Sequence, residues 1–307
     1  MMRFLNLIRY PNLIIIGLTQ VLFKHFLIDS FFRETALSNM EFGMLVLATL
    51  CIAAGGNIIN DIQDQEIDQV NRPAKRIVGR SISEKQANNA YLILTFAGVA
   101  LGFYISNLIG KSGFAVLFVM IAGLLYFYAT TIKQILIINN LLVSLLVAAS
   151  ILIIGIFDVL PLISETNEYV VKYLFRILLI YSAFAFFINF MREIIKDIED
   201  VDGDYTHGIR TLPIILGKER TVKVVCTLSL LPLAGVFYFV YTYLFENRIL
   251  VIYFLFLLMA PLFYFLFSGW EAKKRKDFAT LSMILKLLMV FGVLSIIPVH
   301  YYILKGI

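Results

Sequence analysis

Histidine, cysteine and charge are what this chain has least of. Only three histidines occur, His25, His207 and His300, far apart and without metal-ligand spacing. That argues against an imidazole-rich metal centre. The two cysteines, Cys51 and Cys226, each lie inside an apolar run. They read most simply as buried free thiols and carry no information about redox compartment. Charged residues make up 15% of the 307, while apolar residues make up 60%. A soluble domain of this length would need more polar surface, so the composition is that of a polytopic membrane protein. The formal net charge of +5 is not a nucleic-acid footprint, because the basic residues follow membrane topology. No nucleic-acid partner is expected.

A spanning helix needs roughly 20 apolar residues. Scanning at that length predicts about nine spans, near 12–29, 42–60, 88–108, 114–132, 138–157, 173–191, 223–244, 249–267 and 279–304. The expected fold class is therefore all-α, with residues 1–307 forming a single membrane-embedded domain. The N-terminal apolar run lacks a small-residue cleavage signature and is too long for a signal-peptide core, so it reads as the first span. With the N-terminus inside, 18 Lys and Arg fall on the inner side and five on the outer. That bias predicts an N-in, C-out protein of the cytoplasmic membrane. Lys24, Arg176 and Lys286 lie within or near spans, and snorkelling to an interface is the simplest reading of each.

The sparse acid is concentrated. Ten of the 21 Asp and Glu fall within 61–68 and 193–204. The first cluster, NIINDIQDQEID, places Asp61, Asp64 and Asp68 in a D-x-x-D-x-x-x-D array. The second, REIIKDIEDVDGD, places Asp197, Asp200 and Asp204 in the same array, 136 residues later. Positions i, i+3 and i+7 share one helix face, so each cluster predicts a stripe of three carboxylates. Like charges so arranged repel unless a cation lies between them. Oxygen-only donors point to a hard ion, most naturally Mg²⁺, which commonly brings a phosphate with it. Asp202 and Glu66 fall off the stripes and are expected to face solvent. Each array follows an inward-running span, the second and the sixth, so the two units are parallel. Many secondary transporters instead use inverted repeats.

Two arrays at the cytoplasmic mouth of a bundle could each hold one Mg²⁺, with a diphosphate bridging them. Candidate cations for the remaining phosphate charge are Arg72, Lys75, Arg76 and Arg80 after the first array, and Lys133 at the end of the fourth span. Arg192, Lys196 and Arg210 flank the second array. Metals and Lys/Arg clamps stabilise charge on a departing phosphate. Phe and Tyr within the spans could stabilise an allyl cation by roughly 0.5–2 kcal/mol each. A lipid diphosphate fits these parts.

The motif N-x-x-N-D-x-x-D-x-x-x-D, carried by Asn57, Asn60, Asp61, Asp64 and Asp68, resembles the first motif of the UbiA family of membrane prenyltransferases. Its second motif is resembled by D-x-E-D-x-x-G-D, carried by Asp197, Glu199, Asp200, Gly203 and Asp204. Tyr128…Lys133 and Asn140 resemble the signals between them. The resemblance covers most of the chain. It implies a UbiA-like bundle and Mg²⁺-dependent transfer of a prenyl group from an isoprenyl diphosphate to a hydrophobic acceptor.

On that basis Asp61, Asp64, Asp197 and Asp200 would be the principal Mg²⁺ ligands, with Asp68 and Asp204 completing the arrays. Lys133, Arg72 and Arg76 would bind the diphosphate. Asn57 and Asn60 would orient the leaving group or a ligand, and Arg80, Tyr128, Asn140, Lys196 and Arg210 would complete the substrate site.

Within the family, IRYPNLIIIGLTQ, GGNIIND, Asn71–Pro73 and REIIKDIEDVDGDYTHGIRTLP most resemble the archaeal-type members that alkylate geranylgeranylglyceryl phosphate. After Pro73 the chain departs from them, reading AKRIVGRSIS in place of something closer to DRPIPSGRIS. Two other readings stay open: the same chemistry on an aromatic quinone precursor, and a cation-coupled transporter. Gly55 and Gly56 are expected to permit close helix packing.

Overall fold

The computed structural model describes residues 2–71, 73 and 76–305, with the backbone alone from 303 onward. Arg72 and Lys75 lie outside the described residues. Among the described residues nine helices are long and apolar enough to cross a membrane. In order they are Tyr10–Ser30, Asn39–Gln63, Glu84–Leu108, Ser112–Thr130, Ile138–Leu162, Glu168–Thr206, Lys218–Leu244, Arg248–Glu271 and Arg275–Tyr302. The described residues hold no strand, only a bridge between Val78 and Ile82. This is a multi-pass, all-α membrane protein.

Local sequence explains where the helices start. Ser38 caps the second span and Ser83 the third, each in a reciprocal capping box, with Glu41 and Gln86 respectively. The sixth helix runs much further than its apolar stretch. Its 39 residues extend about 58 Å at 1.5 Å per residue, against a hydrocarbon core of about 30 Å. The surplus carries the second array out of the apolar layer on unbroken helix.

The second span is central to its half of the bundle, packed against the first, third and fourth. A Cβ on Gly55 would lie 2.5 Å from the Thr95 hydroxyl, and one on Gly56 would lie 2.9 Å from Leu125. Both glycines therefore allow the close packing expected of them. The sixth span packs against the fifth and the ninth. Its register with the ninth is pinned by the Tyr181 and Ser295 hydroxyls, 2.9 Å apart. Phe184 also lies where a side chain on Gly292 would go.

The motif-bearing ends of the second and sixth spans meet at one end of the bundle. The Gly203 amide donates to the Asn71 side chain at 2.8 Å, and Arg275 donates to the Asn71 carbonyl at 3.2 Å. The two units are thus parallel.

At the other end a second buried polar feature overturns an expectation. Lys24 does not snorkel: it is 1% exposed and pairs with Asp158, itself fully buried, at 2.7 Å. The Thr35 hydroxyl accepts from the same ammonium, and Asp158 also accepts from the Leu37 amide at 2.9 Å. The pair thus joins the first span, the loop after it and the fifth span. Lys24→Met should strand a buried carboxylate and cost about 3–5 kcal/mol, read as a large drop in detergent melting temperature. Lys172→Met, which removes an exposed pair with Glu168, should leave the melting temperature unchanged.

Candidate active site

The first array is not one continuous stripe. The second span ends at Gln63, Asp64 caps it with φ −88° and ψ 8°, and a short helix, Gln65–Asn71, carries Asp68. The Asp68 amide donates to the Asp64 carbonyl at 2.8 Å, so the pitch nearly continues across the break. Asp197, Asp200 and Asp204 do lie on one unbroken helix. Asp202 and Glu66 face solvent as expected, and Asp202 only approaches Lys218 at 3.9 Å.

Each carboxylate of the first array with a defined contact is met by a cation. Asp61 accepts from Arg9 at 2.7 Å. Asp64, 8% exposed in its side chain, accepts from Lys133 and from the Asn60 amide at 2.7 Å. The Asn60 carbonyl oxygen is buried without a hydrogen-bond partner. Asn57 donates to the Ile8 carbonyl at 3.0 Å, holding the turn that precedes the first span. In the second array Asp197 accepts from Asn140 at 2.9 Å.

The backbone is strained on both sides of this cluster. Arg9 adopts φ 54° and Ile137 φ 66°, a left-handed region that costs a β-branched residue about 1–3 kcal/mol. Both positions break the chain beside charged side chains, Arg9 next to Asp61 and Ile137 between Lys133 and Asn140. Burial works against the Arg9 charge, but Asp61 more than restores it, raising the pKa above that of an ordinary guanidinium. Arg9 stays charged throughout.

A cavity of about 270 Å³ opens beside these residues. Its polar part includes Arg9, Asn57, Asn60, Tyr128 and Lys196, and its apolar part runs along Ile52, Leu125, Leu146 and Phe184. The first, second, fourth, fifth, sixth and ninth spans all contribute to its wall. Tyr128, on the fourth span, shares the cavity wall with Asn60 of the first motif unit and Lys196 of the second.

The arrangement brings together Asn57, Asn60, Asp61, Asp64, Tyr128 and Lys133 from one unit, and Asn140, Lys196 and Asp197 from the other. Arg76, Arg80 and Arg210 are not on this cavity wall. Arg76 donates to the Val78 carbonyl and to Gln69, and Arg80 to the Pro73 carbonyl. They hold the loop, and Arg76 also lines a separate surface cleft with His207. Arg210 is exposed.

The donors suit a hard cation: they are oxygens, and the buried Asn60 carbonyl adds an unused acceptor. Among the described residues, no three His, Cys, Asp or Glu are close enough to form a preformed metal cluster. Lys133 and Arg9 already balance Asp64 and Asp61.

The sequence pattern of the UbiA prenyltransferase family matches residues 31–290. The chain belongs to the UbiA prenyltransferase family. This family member is 31% identical over 247 residues to a digeranylgeranylglyceryl phosphate synthase of Methanosphaera stadtmanae, covering 79% of this chain and 81% of that one. A protein of the same description from Korarchaeum cryptofilum is 36% identical over 193 residues, covering 61% and 62%.

Solved structures share the fold. One described as digeranylgeranylglyceryl phosphate synthase in membranes superposes with a TM-score of 0.63 at 24% identity, covering 96% of each chain. A UbiA homologue from Archaeoglobus fulgidus, bound to DMAPP and Mg²⁺, gives 0.59 at 17% identity, covering 97% of this chain and 99% of that one. As a member of this family the chain is an enzyme, a prenyltransferase.

Sequence reasoning did not place Arg9, Glu193 and Lys286 on the cavity wall. Arg9 was legible only as part of the opening motif, although its place just before Tyr10-Pro11 marks a chain break. Glu193 and Lys286 line the cavity from the sixth and ninth spans, and neither belongs to a spaced motif.

Proposed function

We propose that this enzyme transfers a geranylgeranyl-type chain from its diphosphate to the free hydroxyl of geranylgeranylglyceryl phosphate. The observation that carries the reading is a cavity that is polar beside Asn57 and Asn60 of the first motif segment and Lys196 of the second, and apolar beyond them. Support for the acceptor comes from the relatives described as digeranylgeranylglyceryl phosphate synthases. Support for the donor comes from the homologue bound to DMAPP and Mg²⁺.

Asp61, Asp64 and Asp68 would face Asp197, Asp200 and Asp204 across the diphosphate. Mg²⁺ held between them would neutralise the diphosphate and favour its departure. Asn60 would add an oxygen ligand, and Asn140 fixes the orientation of Asp197. Lys133 and Arg9 would turn from their carboxylates to the phosphate oxygens. Asn57 keeps Arg9 in place through the Ile8 turn. The apolar cavity walls would hold the prenyl chain and exclude water from its allylic carbon. The carbon–oxygen bond to diphosphate breaks with its electron pair leaving on the diphosphate. The acceptor hydroxyl oxygen then bonds to that carbon, and its proton passes to the departing diphosphate.

The whole chain would act as one membrane-embedded domain, since both motif units line the cavity. The bias of Lys and Arg, 18 to five, supports a cytoplasmic membrane location with both arrays on the cytoplasmic side.

The test is to incubate purified protein with Mg²⁺, labelled geranylgeranyl diphosphate and a panel of acceptors. The expected product is the doubly alkylated glyceryl phosphate. Efficient turnover of 4-hydroxybenzoate or a naphthoate, with none on the glycerol ether, would reject the acceptor.

A further inference from the structure

The cavity has a second charged surface, carried by the sixth and ninth spans. Besides Arg9, its charged lining residues are Arg192, Glu193 and Lys196 on the sixth span and Lys286 on the ninth. Lys196 donates to Glu193 at 2.7 Å, and Arg192 lies 3.6 Å from the same carboxylate. Arg9 is held by Asp61. Three cations and one carboxylate thus share a largely apolar wall, with Asp197 next in the chain to Lys196. The Arg192 Nε is buried and has no hydrogen-bond partner. A buried donor left unpaired is costly, and an anion in the cavity would satisfy it.

Lys286 is level with this group. The sixth and ninth spans run antiparallel, and the Tyr181–Ser295 and Phe184–Gly292 contacts both place position 286 opposite position 190. Arg192 is two residues from that level, about 3 Å along the axis. An aliphatic stem carrying an ammonium into a cavity wall at that depth is expensive unless it meets a negative charge.

We infer that Arg192, Lys196 and Lys286 form a phosphate-monoester subsite that holds the acceptor's head group on the cavity wall, beside the second Asp array. The excess of cations over carboxylates on this wall suits a phosphate monoester, which carries about −1.5 to −2 near neutral pH. The subsite explains selectivity by charge: the donor's diphosphate is directed to the Asp units, and the acceptor's phosphate to a wall without metal. It rests on the acceptor class proposed above.

The test uses full-length protein in nanodiscs with EDTA present, where the Asp arrays hold no metal. Binding of geranylgeranylglyceryl phosphate and of its dephosphorylated alcohol is measured by calorimetry for the parent, Lys286→Gln, Arg192→Gln and Lys286→Arg. The parent should bind the phosphate over the alcohol. Each Gln variant should lose at least about tenfold in affinity for the phosphate alone, and Lys286→Arg should recover most of it. With Mg²⁺, Lys286→Gln should raise the KM for the acceptor and not that for the prenyl diphosphate.

Equal parental binding of phosphate and alcohol would overturn the subsite, as would unchanged phosphate binding by Lys286→Gln that still melts like the parent. If the binding pattern holds but only aromatic acceptors are turned over, the subsite stands and the proposed acceptor falls.

Discussion

Asp64→Asn is expected to lower kcat by about two orders of magnitude, roughly 3 kcal/mol of transition-state stabilisation. The substitution keeps the size of the side chain and its ability to meet Asn60. It removes the charge at a side chain 8% exposed and contacted by Lys133, where the developing diphosphate charge must be organised. Asp200→Asn on the sixth helix should cost as much, because it lies on the same face as Asp197 and Asp204. Asp202→Asn is the control: its side chain is 81% exposed, and the rate should stay near that of the parent. Initial rates on purified variants, each checked by melting temperature, decide the matter. Equal damage from Asp202→Asn and Asp200→Asn would show that the helix face has been assigned wrongly.

Removal of divalent cations should be more drastic still. Two arrays gather six Asp side chains, of which Asp61 and Asp64 meet Arg9 and Lys133, and Asp197 meets the neutral Asn140. A diphosphate brought to such a surface without a metal would meet like charge. EDTA should therefore reduce turnover to background, and added Mg²⁺ should restore it. Full prenyl transfer by metal-free protein would sink the reading of the arrays as metal ligands.

The spans and both arrays were legible because they are local patterns. Apolar runs of membrane length and a three-carboxylate spacing are each visible within a few turns. The ends of helices were less so. The sixth span reads as 173–191 by hydropathy, yet the helix continues to Thr206, because charged residues on a helix leaving the bilayer keep their backbone bonds. The break at Asp64 was invisible, since a cap followed by a short helix preserves the sequence spacing. Arg9, Lys286 and the Lys24–Asp158 pair were out of reach for another reason. Their meaning depends on partners brought near by tertiary packing, and no periodicity reports a contact between residues 52 or 134 apart. The loop cations show the same limit: Arg76 and Arg80 stand out in the sequence by charge, but their contacts with the loop's own carbonyls do not.

The buried pair between Lys24 and Asp158 also bears on how the chain is made. The partners are 134 residues apart, on the first and fifth spans. During synthesis the first span therefore enters the lipid with Asp29, a partly exposed carboxylate 3.2 Å from the ammonium in the finished protein, as the carboxylate partner of Lys24 already made. An ionised group within a span costs about 2.5–3.5 kcal/mol in insertion at its centre, and less toward its end. The fully buried carboxylate arrives only when the fifth span docks against the first. The pair thus ties the complete pairing of Lys24 to the arrival of a span made much later.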